Sequence, residues 1–491
     1  MKIQTGILLA AMMCASLVCA ENLTQANVAQ AQAVIDAAVE AHGGDERLSG
    51  LNSMVIDHET INIAGGQSRK AEPPWDRNKA IGMNAVDIEN NIFVTENSGN
   101  GGGFEFDGGT IINGESSYQL NYRSGTWAPI AEPDFDTTSG PFMRVTPALL
   151  VRQVRDRAQN AYYLGDTEVD GELFDVVGFS MAVGPAISLY FEKDSHLLRR
   201  SERVLTGFGL VEYRFNDYEQ ISGMPFNKTF ELYLNGDENL LRTNLKTRVN
   251  VPLDGLLTVS SDLVEIPAVV TDELSRQEIG DKVFLIGGNG TYAMFVEMDD
   301  YVVAAGGTAG LPDRIELLRE VVADKPIRYA VMTHHHFDHV LAVSTYEQEG
   351  ATVVAANAHE QVVRDAADNG ELLDFHGVDD RFVLEDNSRR VEIIDIGPTA
   401  HTEHLLVTWL PDDGILFEAD HFAMPRSGPV PPAVSSTKSF AKALKENDIS
   451  AKLIVSAHSP HPGTPDDLQD ALDKNAVVVS QKPKPGSNRG F

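Results

Sequence analysis

The spacing of apolar positions divides the chain into a β-rich part and a mixed part. Apolar residues recur at helical spacing from Thr24 to about His42, and Gly43-Gly44 is typical of a helix C-terminal cap. From about Leu51 to Val249, short β-rich runs predominate, separated by turn residues. The clearest predicted strands are Glu172–Ser180, Ile187–Glu192, Leu197–Leu205, Leu210–Asn216, Asn227–Leu234 and Leu241–Val249. Their regular succession predicts a mainly antiparallel β domain, either a curled sheet or a partial barrel.

A glycine-rich stretch from Ser98 to Gly109 interrupts this pattern and is predicted to be a loop. It does not match a phosphate-binding loop, because it lacks the strand–loop–helix setting and the lysine that such loops require. The strand succession ends around Pro252–Pro267, where we place a domain boundary.

Strands and helices are mixed beyond this boundary, which indicates an α/β fold. The predicted strands are Val283–Ile286, Tyr292–Val296, Tyr301–Ala305, Tyr329–Thr333, Thr352–Ala356, Val391–Ile396, Leu405–Leu410, Ile415–Glu418 and Leu453–Ser456. The predicted helices are Pro312–Ala323, His359–Asn369 and Thr464–Lys474.

Length and composition indicate a globular protein with two domains and disfavour some partners. A chain of 491 residues exceeds one ordinary core, and 42% hydrophobic with 23% charged residues is typical of folded proteins. The 72 acidic and 39 basic residues give a formal charge of −33, which would repel phosphate backbones and anionic lipid. We therefore expect a small-molecule substrate and no nucleic-acid partner, while a homodimer is left open.

The first 20 residues are predicted to be a secretory signal. Lys2 precedes an apolar run from Ile7 to Val18, and Val18-Cys19-Ala20 resembles a cleavage site. The run is too short to span a bilayer, and no later run approaches that length. Both cysteines, Cys14 and Cys19, lie in this segment, so the periplasmic or secreted mature chain would have no thiolate. Any metal must then be bound by histidine and carboxylate.

One segment carries the strongest chemical signal, namely Thr333-His334-His335-His336-Phe337-Asp338-His339. Packing does not explain it, because each buried imidazole or carboxylate needs a polar partner. In extended backbone, residues two apart point to the same side, so His334 and His336 can share one metal ion. If a helix follows, Asp338 and His339 are redirected towards a second position nearby.

Two ions need more ligands than this segment offers, since zinc prefers about four. Candidates are His401, Asp420 and His458, each of which follows a predicted strand by a few residues. In a layered α/β fold, the ends of strands are where such side chains would meet.

The order of these residues resembles that of the metallo-β-lactamase superfamily. His-x-His-x-Asp-His is followed by Ala400-His401-Thr402, Glu418-Ala419-Asp420 and Ser456-Ala457-His458. The resemblance spans most of residues 280–460 and is nearest to exported hydrolase-like members with the run Thr-His-His-His-Phe-Asp-His. It implies a four-layer αββα sandwich with the metals at one edge.

The resemblance also implies a ligand set and a role for each member. His334, His336 and His401 would bind the first of two zinc ions, and Asp338, His339 and His458 the second. Asp420 would bridge the ions, and iron or manganese could replace zinc because such sites accept several metals. Asp338 would be catalytic, by orienting a metal-bridged hydroxide and passing a proton to the leaving group.

The predicted activity is hydrolysis of a small ester, lactone, lactam or thioester by an exported, zinc-dependent enzyme. The alternatives are a mononuclear iron oxygenase on the same fold and a lipid-binding carrier with a structural metal site. The predicted organisation is a signal at 1–20, a β-rich domain with a leading helix at 21–255, a catalytic domain at 256–481 and a disordered tail at 482–491.

Three positions depart from the family pattern. The strand Tyr301–Ala305 ends in Ala304-Ala305-Gly306-Gly307, where many relatives have an acidic residue that supports the metal-binding loop. His404 stands where relatives often have glycine and could enter the pocket, and Val340-Leu341 replaces a glycine-rich pair. His421, beside Asp420, could contact the metal ligands or simply pack.

Overall fold

The structure, a computed structural model, describes residues 23–476 apart from 64, 182–183, 185, 207–208, 269–272 and 323. The predicted signal at 1–20 and the predicted tail at 482–491 lie outside the described residues. Among the residues described, no helix is both long enough and apolar enough to cross a membrane.

The described chain contains ten α-helices and 26 strands. The α-helices are α1 (Leu23–Ala41), α2 (Asp45–Ser49), α3 (Phe135–Arg144), α4 (Pro147–Asp156), α5 (Leu311–Arg319), α6 (Phe337–Val340), α7 (Val343–Gln348), α8 (Glu360–Asp365), α9 (Ser435–Glu446) and α10 (Pro465–Asp473). The first strands are β1 (Ser53–Asn62), β2 (Asn78–Asp87), β3 (Ile92–Gly101), β4 (Phe104–Asn113), β5 (Tyr118–Asn121), β6 (Thr126–Pro129), β7 (Tyr162–Val169), β8 (Glu172–Ser180), β9 (Ala186–Glu192), β10 (Leu198–Leu205), β11 (Gly209–Ile221), β12 (Met224–Leu234), β13 (Asp237–Val249) and β14 (Val264–Glu265). The later strands are β15 (Ser275–Gly280), β16 (Val283–Gly288), β17 (Thr291–Glu297), β18 (Val302–Ala305), β19 (Ile327–Val331), β20 (Thr352–Ala356), β21 (Phe375–Val378), β22 (Arg381–Glu385), β23 (Arg390–Asp395), β24 (Leu406–Leu410), β25 (Ile415–Glu418) and β26 (Leu453–Ser456).

The described chain forms two compact units. The first contains residues 23–51, 140–230 and 234–236, and the second contains residues 52–139, 231–233 and 237–476. Residues 52–139 thus group with the C-terminal part of the chain. The domain boundary predicted at residue 255 stays a prediction.

In the first unit, the predicted leading helix is confirmed as α1. Ala31, Ile35, Ala38 and Val39 are buried on one face, as helical spacing predicts. The amide of Gly44 donates to Val39 O at 2.9 Å, and Gly43 and Gly44 both have a positive φ, which completes the C-terminal cap. The strands β7 to β10 pair in chain order as antiparallel neighbours.

A buried histidine makes the stability of the first unit depend on pH. His42 is fully buried, and burial lowers its pKa to about 4 although its Nδ1 donates to Ala38 O at 2.8 Å. In the unfolded chain the pKa is about 6.5, so between pH 6.5 and 4 the unfolded state binds a proton that the folded state excludes. His42 therefore does not reduce the free energy of unfolding above pH 6.5, and it reduces it progressively as the pH falls towards 4.

The free energy of unfolding should fall between pH 7 and pH 4.5 in both chains. We expect this fall to be roughly 2–3 kcal/mol smaller in a His42→Leu variant than in the parent chain. Urea unfolding, followed by circular dichroism at both pH values, measures this. A His196→Asn variant is the control, because His196 is exposed and its backbone φ of 56° suits asparagine. Equal losses in the parent and in His42→Leu would show that His42 is not the titrating group.

The second unit begins with a sheet in which the glycine-rich loop prediction is wrong. β1 to β6 pair as antiparallel neighbours in chain order, and β13 pairs with β1. The stretch from Ser98 to Gly109 forms most of the β3–β4 hairpin, with Gly102-Gly103 as its turn. A Cβ atom at Gly109 would lie 2.3 Å from Thr95 O, so glycine marks the close approach of two strands here and not a loop.

The C-terminal part of the second unit is a four-layer αββα sandwich, which confirms the predicted fold class. A seven-stranded sheet has the order β15-β16-β17-β18-β19-β20-β21, and a five-stranded sheet has the order β22-β23-β24-β25-β26. Val303 and Val354 of the first sheet and Phe417 of the second belong to one buried core. The helices α5 and α7 pack on the other face of the first sheet, and α9 and α10 pack on that of the second.

Candidate metal centre

The candidate ligands meet at one edge of the sandwich because of where the strands end. His334, His336, Asp338 and His339 follow β19, and Asp420 and His458 follow β25 and β26. Since β25 and β26 are parallel neighbours, their C-terminal ends place these last two residues side by side. His401 lies between β23 and β24, and the amide of Leu406 donates to Thr333 O at 2.8 Å, which ties β24 to the segment after β19.

Four side chains form the first group, namely His334, His336, His401 and Asp420. Their potential ligand atoms all lie within 4.8 Å of one another. His401 Nε2 is 3.2 Å from His334 Nε2 and 3.2 Å from Asp420 Oδ2. Atoms that each bind one zinc ion at about 2.0–2.2 Å lie up to roughly 4 Å apart, so the group matches the size of one coordination sphere.

Three side chains form the second group, namely Asp338, His339 and His458. His458 Nε2 is 3.3 Å from His339 Nε2, and Asp338 Oδ2 is 3.5 Å from His339 Nε2. Asp420 connects this group to the first, because its Oδ2 is 2.7 Å from His339 Nε2 and its Oδ1 is 3.2 Å from His458 Nε2. One carboxylate thus reaches both groups, as a bridging ligand would.

Backbone carbonyls hold the ring nitrogens that face away from the two groups. His336 Nε2 donates to Ser68 O at 2.9 Å, His458 Nδ1 donates to Gly290 O at 3.0 Å, and His401 Nδ1 donates to Gly102 O. A hydrogen held on one ring nitrogen leaves the lone pair of the other nitrogen for a metal. These contacts therefore fix the tautomer that a histidine ligand needs.

The unpaired atoms of the site fit bound cations. His336 is completely buried, and its Nδ1 has no hydrogen-bond partner among the described residues. For His336 this is the ring nitrogen left over by the bond to Ser68. A buried imidazole nitrogen without a partner costs free energy, and a metal ion would satisfy it.

Electrostatics point the same way. Burial, followed by the charge of neighbouring histidines, holds the pKa of His334 and of His336 well below the usual value, so both are neutral and able to bind a metal. Burial would raise the pKa of Asp420, but the charge of His339 and a hydrogen bond from His334 outweigh it and hold that pKa well below its usual range. The bridging position therefore carries a full negative charge.

The backbone of Asp420 adopts a left-handed conformation that another carboxylate supports. Its φ is 65°, which aspartate and asparagine tolerate better than most residues. Glu418 is fully buried and accepts hydrogen bonds from the amides of His421 at 2.9 Å and Phe422 at 3.2 Å. Burial raises the pKa of Glu418 to about 8. Sequence reasoning missed this role of Glu418, because the residue appeared there only as the end of a strand.

A segment far upstream also contributes to the site, and no motif indicated it. The short 3-10 helix Gly65–Gln67 places Gln67 Nε2 2.7 Å from Asp338 Oδ1. The carbonyl of Ser68 accepts hydrogen bonds from both His335 Nε2 and His336 Nε2, each at 2.9 Å. Any residue type has a backbone carbonyl, so the sequence gives no signal for Ser68 or Gly102.

The two uncertain histidines lie outside both ligand groups. His404 Nδ1 is 2.6 Å from Asp395 Oδ2, so this side chain is held by a carboxylate elsewhere. His421 is buried, with its Nδ1 2.6 Å from Ala419 O and its Nε2 2.9 Å from Thr399 Oγ1. Its ring packs edge-on against His401, with ring centres 5.4 Å apart. His421 therefore supports a candidate ligand by packing.

The second glycine after β18, Gly307, has no room for a side chain. A Cβ atom at Gly307 would lie 2.2 Å from His339 O and 2.5 Å from Met332 Sδ. The carbonyl of Gly307 accepts a hydrogen bond from the amide of Ala342 at 2.9 Å. Close backbone packing thus joins the end of β18 to the segment that carries His339.

Fold and site together define an αββα protein with a candidate centre of histidine and aspartate. Residues 286–475 match the family model of the metallo-beta-lactamase superfamily. This match confirms the family resemblance that the sequence motifs predicted. A comparison with curated proteins gave no match.

Several solved structures are similar to this chain over a limited part of it. A metallo-beta-lactamase from Pontibacter korlensis is 17% identical, covers 41% of this chain and 97% of its own, and has a TM-score of 0.34. One from Hirschia baltica is 20% identical, with coverages of 40% and 95% and a TM-score of 0.31. The metallo-beta-lactamase FIM-1 from Pseudomonas aeruginosa, in a mono-zinc form, is 20% identical, with coverages of 40% and 92% and a TM-score of 0.32.

Proposed function

We propose that this protein is an exported, zinc-dependent hydrolase that cleaves a small ester, lactone, lactam or thioester at a centre of two metal ions. The observation that carries the proposal is the position of Asp420. Its Oδ2 lies 3.2 Å from His401 Nε2 of the first group and 2.7 Å from His339 Nε2 of the second, and its Oδ1 lies 3.2 Å from His458 Nε2. A single carboxylate shared in this way favours two cations over one. The alternatives, a mononuclear iron oxygenase and a lipid carrier, do not need the second group.

Each ligand group would bind one of the two cations. His334, His336 and His401 would hold one cation, Asp338, His339 and His458 the other, and Asp420 would contact both. Two bound cations lower the pKa of a shared water towards about 7 and polarise a carbonyl oxygen.

Asp338 would orient the attacking water and transfer its proton. Asp338 is about one-third exposed and is oriented by the hydrogen bond from Gln67 to its Oδ1. Its remaining oxygen faces the space between His339 and His458, where it can accept a proton from the attacking water and donate it to the leaving group.

Metal analysis of the purified full chain by elemental mass spectrometry tests the proposal, combined with hydrolysis of p-nitrophenyl acetate before and after chelation. We expect about two metal ions per chain, loss of turnover after chelation and recovery with zinc. About one iron ion per chain with oxygen-dependent turnover would instead support the oxygenase. Bound metal without hydrolysis of any ester, lactone, lactam or thioester would support the carrier.

A further inference from the structure

A cavity of about 470 Å³ reaches the candidate metal centre from one side. One wall consists of β3 to β5, in the sheet that contains β1 to β6. It includes Phe104, Phe106 and Leu120. The opposite wall comes from the segment between β25 and α9, including Phe422 and Val430. Asp420, the candidate bridging ligand, lines the end of the cavity. A volume of this size is typical of small-molecule sites.

Two charged side chains that line the cavity, Arg123 and Glu105, hold its walls together. Arg123 Nη2 donates to the carbonyls of Pro432 at 3.3 Å and Ala433 at 3.2 Å. Glu105 accepts hydrogen bonds from the amide of Ser435 at 3.0 Å and from its hydroxyl. These contacts join the two walls. They also leave fewer free donors on Arg123 and fewer free acceptor positions on Glu105 for a ligand.

Polar lining groups on the sheet are also paired. Asn97 Nδ2 donates to Thr95 Oγ1 at 3.1 Å, and Gln119 accepts from Thr110 Oγ1 at 2.9 Å. The remaining lining is rich in aromatic, aliphatic and proline side chains, and Phe106 is 41% exposed. An apolar ligand would therefore gain contact area here without breaking polar contacts.

The aromatic end of this lining also touches the metal centre. The Phe104 ring packs edge-on against the ring of His401, with centres 5.3 Å apart. The apolar group of a substrate bound in the cavity would thus lie next to the scissile bond beside Asp420. Negative charge is disfavoured in this position, because Glu105 and Asp420 are both acidic.

We propose that the cavity binds the apolar acyl group of an uncharged ester or lactone, with the scissile carbonyl beside Asp420. This inference rests on the proposed hydrolase function and specifies its substrate class. In the reaction, water adds its oxygen to the acyl carbon, the bond from that carbon to the leaving oxygen breaks, and the proton of the water passes to that oxygen. An ester gives a carboxylic acid and an alcohol, and a lactone gives a single hydroxy acid, so no oxidant or reductant is needed.

A series of p-nitrophenyl acetate, butyrate, hexanoate and octanoate tests the substrate class. We expect kcat/KM to rise roughly 3- to 4-fold for each methylene that enters the cavity. Phe106→Ala should lower kcat/KM for the octanoate by roughly 10-fold more than for the acetate, and Phe106→Glu should widen this difference, while the metal content stays the same. The control is Leu372→Ala, because Leu372 is an exposed apolar residue outside the cavity lining.

Equal kcat/KM values along the series, or equal effects of the Phe106 variants on acetate and octanoate, would overturn the inference. Binding of the non-hydrolysable p-nitrophenyl octyl ether, measured by calorimetry against p-nitroanisole, separates the two proposals. Tight, Phe106-dependent binding of the octyl ether without any ester hydrolysis would keep the apolar site and reject the hydrolase. Hydrolysis of the esters without preferential binding of the octyl ether would keep the hydrolase and reject the apolar site.

Discussion

An Asp420→Asn variant is expected to lose more than about 100-fold in kcat and to retain fewer metal ions than the parent chain. Loss of a partner that only orients a ligand typically costs 10- to 100-fold, and Asp420 contacts both ligand groups directly. Asparagine keeps one oxygen but loses the second oxygen and the negative charge. It also tolerates the left-handed backbone at this position, so the fold should remain intact.

Kinetics with p-nitrophenyl butyrate and elemental mass spectrometry on the same samples measure the two effects. Asp412→Asn is the matched control, because Asp412 is an exposed aspartate in the turn before β25. A variant that keeps both the parent metal content and the parent kcat would rule out Asp420 as a bridging ligand.

A Gln67→Leu variant is expected to lower kcat by roughly 10- to 100-fold while KM changes much less. The physical reason is the 2.7 Å hydrogen bond from Gln67 Nε2 to Asp338 Oδ1, which leucine of similar size cannot make. Gln67 does not line the apolar cavity, so substrate binding should be preserved.

The control for this variant is Lys70→Ala in the same segment. Lys70 is 46% exposed and lies 3.7 Å from Glu403, an arrangement of little energetic value. Gln67→Glu adds a second test, because a carboxylate facing Asp338 should reduce kcat at least as much as leucine does. An unchanged kcat in both Gln67 variants would mean that Asp338 is oriented without Gln67.

The sequence predicted the strands of the sandwich well because each carries its own hydrophobic signal. The predicted Thr352–Ala356, Ile415–Glu418 and Leu453–Ser456 agree with the structure to the residue. Each is a short run of mainly apolar or β-branched residues, as expected for strands covered on both faces. The ligand candidates followed from these strands, since side chains just beyond strand ends are brought together at one edge.

Features that depend on backbone contacts between distant segments could not be predicted in this way. The β3–β4 hairpin was taken for a loop because glycine has no side chain to show alternation, although its strands pair along their full length. Ser68 and Gly102 bind histidine rings through carbonyl groups, which every residue has. Helix α9 was missed because Ser435 and Ser436 open it without a distinct polar-to-apolar transition.

The contact of Ser68 with two consecutive histidines has a consequence for how the protein matures. Residues 65–103 are synthesised long before residues 334–458, and residues 140–230, which belong to the other unit, separate them. The centre can reach its full set of contacts only after both segments have met, a closure over more than 200 residues. Tight metal retention would therefore be a late event in biogenesis and would report that the earliest and latest parts of this unit have assembled correctly.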